Sequence, residues 1–262
     1  MNGAQDLSIF SMAACAVLLI IPFIIIRKFK LGIEKGLLIS TVRMVVQLLL
    51  VGLFLQYLFI YNNGFINLLW FLVMITVASF SVINHSKLNR KEFLLPVLFS
   101  FMVANLFVVL YFNFFIVRIN SIFDAKYIIA IGGMLLGNSL RANVVGLGDF
   151  YHSLKKEENL YLYNLSLGAT QFEAMLPFIK RSFISALNPT IANMATMGIV
   201  SLPGMMTGQI LGGSIPLVAI KYQIAIMIAI LASTVLSISV GILFTTRKTF
   251  NKNGILKPNM VK

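Results

Sequence analysis

Seven apolar runs in this chain are each long enough to cross the roughly 30 Å hydrocarbon core of a bilayer. Hydrophobic residues make up 59% of the chain and charged residues only 11%, so the polar surface of a soluble domain is missing. We therefore predict an all-α polytopic membrane protein with about seven transmembrane helices, folded as a single domain over residues 1–262. The predicted spans are Leu7 to Ile26, Gly36 to Ile60, Phe65 to Ile83, Phe93 to Val117, Tyr127 to Leu147, Thr190 to Leu211 and Leu217 to Phe244.

The basic residues lie mainly in the short links between these runs. This distribution of the net charge of +13 argues against nucleic acid as a partner. Lys and Arg are in excess in cytoplasmic loops, so the N-terminus is predicted outside and the C-terminus in the cytoplasm. Sixteen basic residues lie on the predicted inner side, within 27–35, 87–91, 155–181 and 247–262, against three on the outer side, Arg118, Lys126 and Lys221.

The longest predicted cytoplasmic link covers about residues 148–189. Gly168 suits the C-terminal cap of a short helix, and Thr170 to Glu173 forms a capping box that starts a second helix. Pro177 is expected to bend that helix, and Asn188-Pro189 is predicted to start span six. The link is either an amphipathic connector or a docking element for a cytoplasmic partner.

The block Ser201 to Gly213 places a helix breaker and regularly spaced glycines inside a predicted span. Pro203 frees backbone groups, which in hydrocarbon need partners from neighbouring helices or from a water-lined cavity, and Gln209 has the same need. The glycines repeat every four residues, so one helix face would be bare backbone open to close packing. Gating and packing roles are predicted for Pro203, Gly204, Gly208 and Gly212.

Polar side chains also occur in spans two and five. Arg43 shares a face of span two with Ser40 and Gln47, and an arginine at mid-helix costs about 2.5 to 3.5 kcal/mol. Its head group can instead snorkel to the interface, so anchoring and pore lining both remain open. In span five, inter-helix hydrogen bonding and pore lining are alternatives. The pore-lining candidates are Arg43, Gln47, Asn138, Ser139, Met205, Met206, Thr207 and Gln209.

Metal chemistry has little support from residue type. His85, His152 and Cys15 are isolated in the sequence, so a high-affinity cage of these ligands is not expected, and a metal site stays unknown. Thioether sulfurs are the remaining candidate ligands, although methionine more often fills gaps in packing. The methionines concerned are Met194, Met197, Met205 and Met206.

Several segments resemble a known family of membrane proteins. Leu167 to Ala174 resembles the glycine-centred cytoplasmic loop of ABC-transporter permeases. The block Ser201 to Gly213, together with Tyr222-Gln223-Ile224, resembles the iron-export (FetB-type) permease family, as do Arg43 to Gln47 and Gly133 to Ser139. The resemblance covers most of the chain, from span two to span seven.

The resemblance implies a permease subunit of an ATP-driven exporter of iron or another metal. It implies a homodimer that works with two copies of a separate ATPase, into which a coupling helix docks. ATP would be used by that partner and no cofactor bound by this chain, because glycine is never followed by lysine and a phosphate-binding loop is therefore absent. The docking element would comprise Leu167, Gly168, Ala169, Thr170, Gln171, Phe172, Glu173, Ala174 and Met175.

Two other function classes can be weighed against the sequence. A gradient-driven secondary transporter of a small solute is the alternative, and it would use broken helices too. Such transporters depend on acidic residues within the membrane, and no Asp or Glu occurs in the seven predicted spans. An enzyme would need a convergent reactive constellation, which the sequence does not offer, so we predict a transport subunit rather than an enzyme.

Overall fold

The computed structural model describes residues 7–119, 121–251 and 253–260. These residues form α-helices joined by short links and contain no β-strand, which confirms the predicted all-α class. The helices are α1 (Ile9–Val17), α2 (Ile20–Lys28), α3 (Glu34–Tyr61), α4 (Gly64–His85), α5 (Arg90–Tyr111, continued by a π-helical segment, Phe112–Val117), α6 (Ala125–Ile128), α7 (Ala130–Lys156), α8 (Glu158–Ser166), α9 (Gln171–Thr196), α10 (Gly204–Leu211) and α11 (Pro216–Thr249).

Six helical segments within the described ranges are long and apolar enough to cross a membrane. They correspond to six of the seven predicted spans, and the chain is a multi-pass membrane protein. The exact number of crossings and the orientation of the termini stay predictions. The six segments are Phe10–Lys28, Glu34–Tyr61, Gly64–His85, Arg90–Val117, Ala125–Lys156 and Pro216–Thr249.

The prediction of one helix over Thr190 to Leu211 is wrong. Helix α9 begins at Gln171 and continues through Pro189 to Thr196, and α10 begins only after the irregular segment 197–203. Asn188-Pro189 therefore starts no helix. The reason is tertiary: α9 packs along α7, where Ser182 Oγ donates a hydrogen bond to the Gly146 carbonyl at 2.7 Å. These contacts keep α9 helical across Pro189, although proline has no backbone N–H to donate to the preceding turn.

The bundle is centred on α5, α7 and α11. Helix α11 packs against α5 and α7, α4 lies against the same two helices, and α9 packs against α7. Small residues allow the close approach that helices need in a membrane, where apolar packing replaces the hydrophobic driving force. A Cβ at Gly146 would lie 3.3 Å from the Ala186 Cβ, and one at Gly241 would lie 3.4 Å from Asn143 Oδ1.

Helices α2 and α3 lie largely outside this bundle. No residue in the most apolar stretch of either span is buried, whereas 39% to 50% of the residues in the corresponding stretches of the later spans are buried. Helix α3 contacts the bundle near its C-terminal end, where the Phe54 and Trp70 rings are 4.3 Å apart and Leu58 is buried. The apolar surface that remains suits lipid or a partner helix.

Candidate functional site: an exposed turn and two cavities

The turn between α8 and α9 contains the predicted docking residues, and its first half is a helix-ending motif. Gly168 has φ +92°, a left-handed conformation that glycine adopts without strain. Its N–H donates to the Leu165 carbonyl at 3.0 Å, and the Ala169 N–H donates to the Asn164 carbonyl at 3.2 Å. This pair of bonds is a Schellman motif, so the predicted glycine cap is confirmed.

The second half of the turn is the predicted capping box, which is also confirmed. The Glu173 N–H donates to Thr170 Oγ1 at 3.3 Å, and the Thr170 N–H donates to Glu173 Oε2 at 2.8 Å. The Thr170 hydroxyl donates to the same carboxylate oxygen at 2.7 Å. These hydrogen bonds hold the pKa of Glu173 below its usual range, because they favour the charged carboxylate. The bond from the Thr170 side chain has the larger effect and the bond from its backbone N–H the smaller one.

We expect the first turn of α9 to loosen in acid. The pKa of Glu173 is lowered in the folded state, so its charged carboxylate stabilises the fold. This stabilisation is fully present above the pKa of the unfolded chain, about 4.3, and is lost as the pH falls through the folded pKa. Hydrogen exchange over residues 168–176, corrected for intrinsic rates, should therefore accelerate below about pH 4. In Glu173→Gln, which keeps a capping side chain without the charge, the corrected exchange should not change with pH.

The turn presents two large apolar side chains to the surroundings. Leu167 is 69% exposed and Phe172 is 62% exposed, whereas Ala174 and Met175 are buried against the core. Of the nine predicted docking residues, Leu167 and Phe172 therefore offer the apolar contact, and Thr170 with Glu173 fixes the backbone between them. Exposed apolar side chains that are grouped in this way mark surfaces that contact a protein or a membrane.

Contacts on both sides attach the turn to the bundle. Arg181 Nη1 lies 3.0 Å from Glu157 Oε1, and Ser185 Oγ donates to Asp149 Oδ2 at 3.1 Å, so α9 is joined to the end of α7. The Tyr161 hydroxyl donates to the Gly254 carbonyl at 2.6 Å, and burial raises the pKa of this phenol. The helices on both sides of the turn are therefore attached to α7 and to the C-terminal segment.

The break between α9 and α10 contains two helix-disrupting residues, Gly198 and Pro203. Gly198 has φ +86°, and its N–H donates to the Ser201 carbonyl at 2.9 Å, which closes a tight turn. Pro203 is the N-terminal cap of α10. A Cβ at Gly204 or Gly208 would have no neighbour within 4 Å in the described part of the chain, so the predicted gating and packing roles stay predictions.

A first cavity, of about 540 Å³, lies between α7, α9 and the end of α4. We call it the basic cavity, because Arg141 and His85 line it and none of its described lining residues is acidic. Asn138 is the one pore-lining candidate that reaches it, and its side chain donates to the Met134 carbonyl at 2.8 Å. The full lining is His85, Asn138, Leu140, Arg141, Ala142, Val144, Val145, Ala186, Pro189, Thr190 and Asn193.

A second cavity, also of about 540 Å³, lies at the helix break between α9, α10 and α11. We call it the methionine cavity, because four thioether side chains line it. Met206 is the only predicted pore residue within its described lining, and it is 8% exposed. The lining comprises Met194, Met197, Gly198, Leu202, Pro203, Met206, Ile220, Gln223, Ile224, Met227 and Ile228.

The other pore candidates lie outside the described linings of both cavities. Arg43 and Gln47 are on the exposed helix α3. Ser139 is buried, and its hydroxyl donates to Asn105 Oδ1 at 3.1 Å, which joins α7 to α5. Thr207 donates to the Pro203 carbonyl at 3.2 Å, and Gln209 Oε1 is buried without a hydrogen-bond partner among the described residues. Met205 packs against the core.

Sequence reasoning missed the α11 side of the methionine cavity. Met227 and Gln223 come from the last predicted span, and the spacing of residues within a span does not show which other helices it faces. Met194 and Met197 are two of the four methionines that the sequence leaves as candidate thioether ligands, and the cavity joins them with Met206 but not with Met205. Within the described residues, no group of three or more His, Cys, Asp and Glu side chains could hold a metal ion.

The fold and these features define the class of the molecule: an α-helical multi-pass membrane protein with a broken helix, two cavities between its helices and an exposed capped turn. Residues 9–250 match the Uncharacterised protein family (UPF0014), and the chain belongs to this family. The predicted family resemblance is thereby confirmed. No solved structure matches the chain.

Relatives from several organisms cover almost the whole chain. The chain is 32% identical to the Probable iron export permease protein FetB of Escherichia coli (strain K12), over 96% of each protein. It is 30% identical to the UPF0014 membrane protein YjkA of Bacillus subtilis (strain 168), over 95% of this chain and 98% of that protein. It is 32% identical to the Protein ALUMINUM SENSITIVE 3 of Arabidopsis thaliana, over 87% and 82%.

Proposed function

We propose that this chain is the membrane-spanning permease subunit of an ATP-binding cassette exporter, energised by a separate ATPase subunit and working as a homodimer. Iron or another metal is the proposed cargo, which follows the printed name of the relative from Escherichia coli. The chain acts in transport rather than catalysis, since its relatives are named as a permease and as membrane proteins.

The proposal of an ATPase partner is supported mainly by the exposed turn between α8 and α9. Leu167 and Phe172 project from a backbone fixed by a Schellman motif and a capping box, and such order in an exposed turn favours contact with another protein. Helix α9 continues from this turn to the helix break without interruption. Movement of a docked partner would therefore be transmitted along one continuous helix.

The two cavities support a transport path along α9. Asn193 lines the basic cavity, while Met194 and Met197 line the methionine cavity, so the last turn of α9 separates the two. A shift of α9 would therefore change the width of both cavities. Irregular backbone at membrane depth is found where it is buried in protein or lines a cavity, and Met197, Gly198, Leu202 and Pro203 of the segment 197–203 line the methionine cavity.

Co-purification tests the ATPase partner. The double variant Leu167→Asp with Phe172→Asp removes the apolar contact, and an aspartate at the second position of α9 also suits the helix dipole, so the fold should survive. Wild-type protein solubilised from its native cells should retain a phosphate-loop ATPase, and the double variant should retain less than about a tenth of it, equivalent to about 1.4 kcal/mol of binding free energy.

A matched control distinguishes docking from general surface damage. Phe29 is 70% exposed in the link after α2, outside the turn, and Phe29→Asp should retain the ATPase fully. Circular dichroism would verify that all variants remain helical. If no ATPase accompanies wild type, the proposal fails and a gradient-driven transporter becomes the leading hypothesis. If the double variant retains the ATPase, the docking role of this turn is refuted.

A further inference from the structure

The methionine cavity brings together side chains from three separate elements. Met194 is on α9 and Met197 follows its last residue, Met206 is on α10, and Met227 is on α11 beside Gln223. Four of the thirteen methionines in the chain thus line one cavity. Packing filler would be spread over the core, so their convergence at the helix break calls for a chemical explanation.

Thioether sulfur is a neutral and polarisable ligand. It selects soft ions such as Cu(I), whereas harder divalent ions favour imidazole, carboxylate or water. The described lining contains no charged side chain, so nothing there offsets the cost of moving charge out of water. That cost rises with the square of the charge, which makes a divalent ion about four times as expensive as a monovalent one.

Gln223 provides a second and independent observation. Its side chain is 6% exposed, and its Nε2 lies 3.8 Å from the Met197 sulfur, as a donor to it. This contact orients one sulfur lone pair toward the amide and leaves the other free. Gln223 Oε1 is buried and has no hydrogen-bond partner within the described residues. A buried amide oxygen without a partner is costly, and it is typical of a site that receives a ligand or an ordered water.

The local backbone can adapt to an ion. Met197 leaves α9 with extended backbone angles, and Gly198 follows it in the left-handed region. Methionine has three rotatable side-chain bonds, so each sulfur can change its position in the cavity without a shift of the backbone. We propose that the methionine cavity binds one soft monovalent cation, Cu(I) or Ag(I), through the sulfurs of Met194, Met197, Met206 and Met227.

Competition for Cu(I) tests this site on the purified full-length protein in detergent. The protein would be titrated anaerobically against bathocuproine disulfonate, in a Cys15→Ser background because Cys15 is an exposed thiol that could bind Cu(I) by itself. One Cu(I) per chain should be retained, and X-ray absorption should show mainly sulfur around the ion, with at most one oxygen, that of the Gln223 side chain. Ag(I) should raise the thermal unfolding midpoint of the same protein.

Leucine variants provide the decisive comparison, since Met to Leu nearly conserves volume and removes the sulfur. Met197→Leu with Met206→Leu should lower the Cu(I) affinity at least a hundredfold. Met102→Leu with Met134→Leu is the control, because both side chains pack against the core outside the cavity lining, and its affinity should equal that of wild type.

Two outcomes would overturn the proposal: no Cu(I) retained by the Cys15→Ser protein, or equal affinity in the two double variants. Coordination of the ion without sulfur would also refute binding by the methionines. The result is separable from the ATPase experiment, because ion binding concerns the isolated chain and docking concerns a partner at the α8–α9 turn.

Discussion

Phe93→Ala is expected to lower the free energy of unfolding by about 3 kcal/mol or more, because it empties a fully buried site at the junction of three central helices. The Phe93 ring on α5 is 0% exposed and meets the Tyr151 ring on α7 edge to face, with centroids 4.7 Å apart. The Tyr151 hydroxyl in turn lies 3.0 Å from Thr249 Oγ1 on α11, within hydrogen-bond distance. Lipid cannot fill a cavity enclosed by protein, so the lost packing is not replaced.

Phe99→Ala is the matched control for this prediction. Phe99 also lies on α5 and also forms an edge-to-face pair, with Phe244 at 5.0 Å, but it is 43% exposed. Detergent or lipid can occupy the vacated volume. The loss in the free energy of unfolding should therefore stay below about 1 kcal/mol, which is comparable to the energy of one aromatic pair. Unfolding by SDS in mixed micelles, followed by circular dichroism, would measure both. Equal losses would show that enclosure by protein does not determine the cost.

Gly132→Ala is expected to destabilise the protein by about 2 kcal/mol, although alanine is the better helix former. A Cβ at Gly132 would lie 2.6 Å from one carbon of the Phe71 ring and 3.1 Å from another. Phe71 is 0% exposed, so its ring has no room to move away. Overpacking of this kind costs up to about 3 kcal/mol, and the higher helix propensity of alanine returns only about 1 kcal/mol.

Two further variants make the Gly132 prediction specific. Gly137→Ala lies in the same helix, and its new Cβ would meet no described atom within 4 Å, so it should be neutral or stabilise by up to about 1 kcal/mol. Phe71→Leu removes the ring atoms that the new Cβ meets, so Gly132→Ala with Phe71→Leu should cost less than the sum of the single variants. Additive losses would exclude the contact as the cause.

Local chemistry explains why the turn between α8 and α9 could be predicted. Gly168 is required by its positive φ, and Thr170 with Glu173 satisfies donors three residues apart. Both motifs are complete within about ten residues of chain, so neither depends on the rest of the fold. The exposure of Leu167 and Phe172 could not be predicted in the same way, because it depends on which faces of α8 and α9 the bundle covers.

The sixth predicted span shows where local signals mislead. Asn188-Pro189 has the form of a helix start, yet Pro189 lies inside α9 because contacts with α7 hold the helix on both sides of it. Pro203 does end the irregular segment, as α10 begins directly after it. Proline thus lies at a helix break at position 203 and within a continuous helix at position 189. The difference is the packing around each residue.

The sequence by itself determined that this chain is an all-α membrane protein, because long apolar runs leave the backbone no partners in lipid except those within a helix. It also determined the caps at Gly168 and Thr170, whose hydrogen bonds are local. Only the tertiary structure decided which helices meet, and therefore the two cavities. Met197 and Met227 are far apart in the chain and lie along one cavity, and no local spacing specifies a contact made by the packing of α9 and α10 against α11.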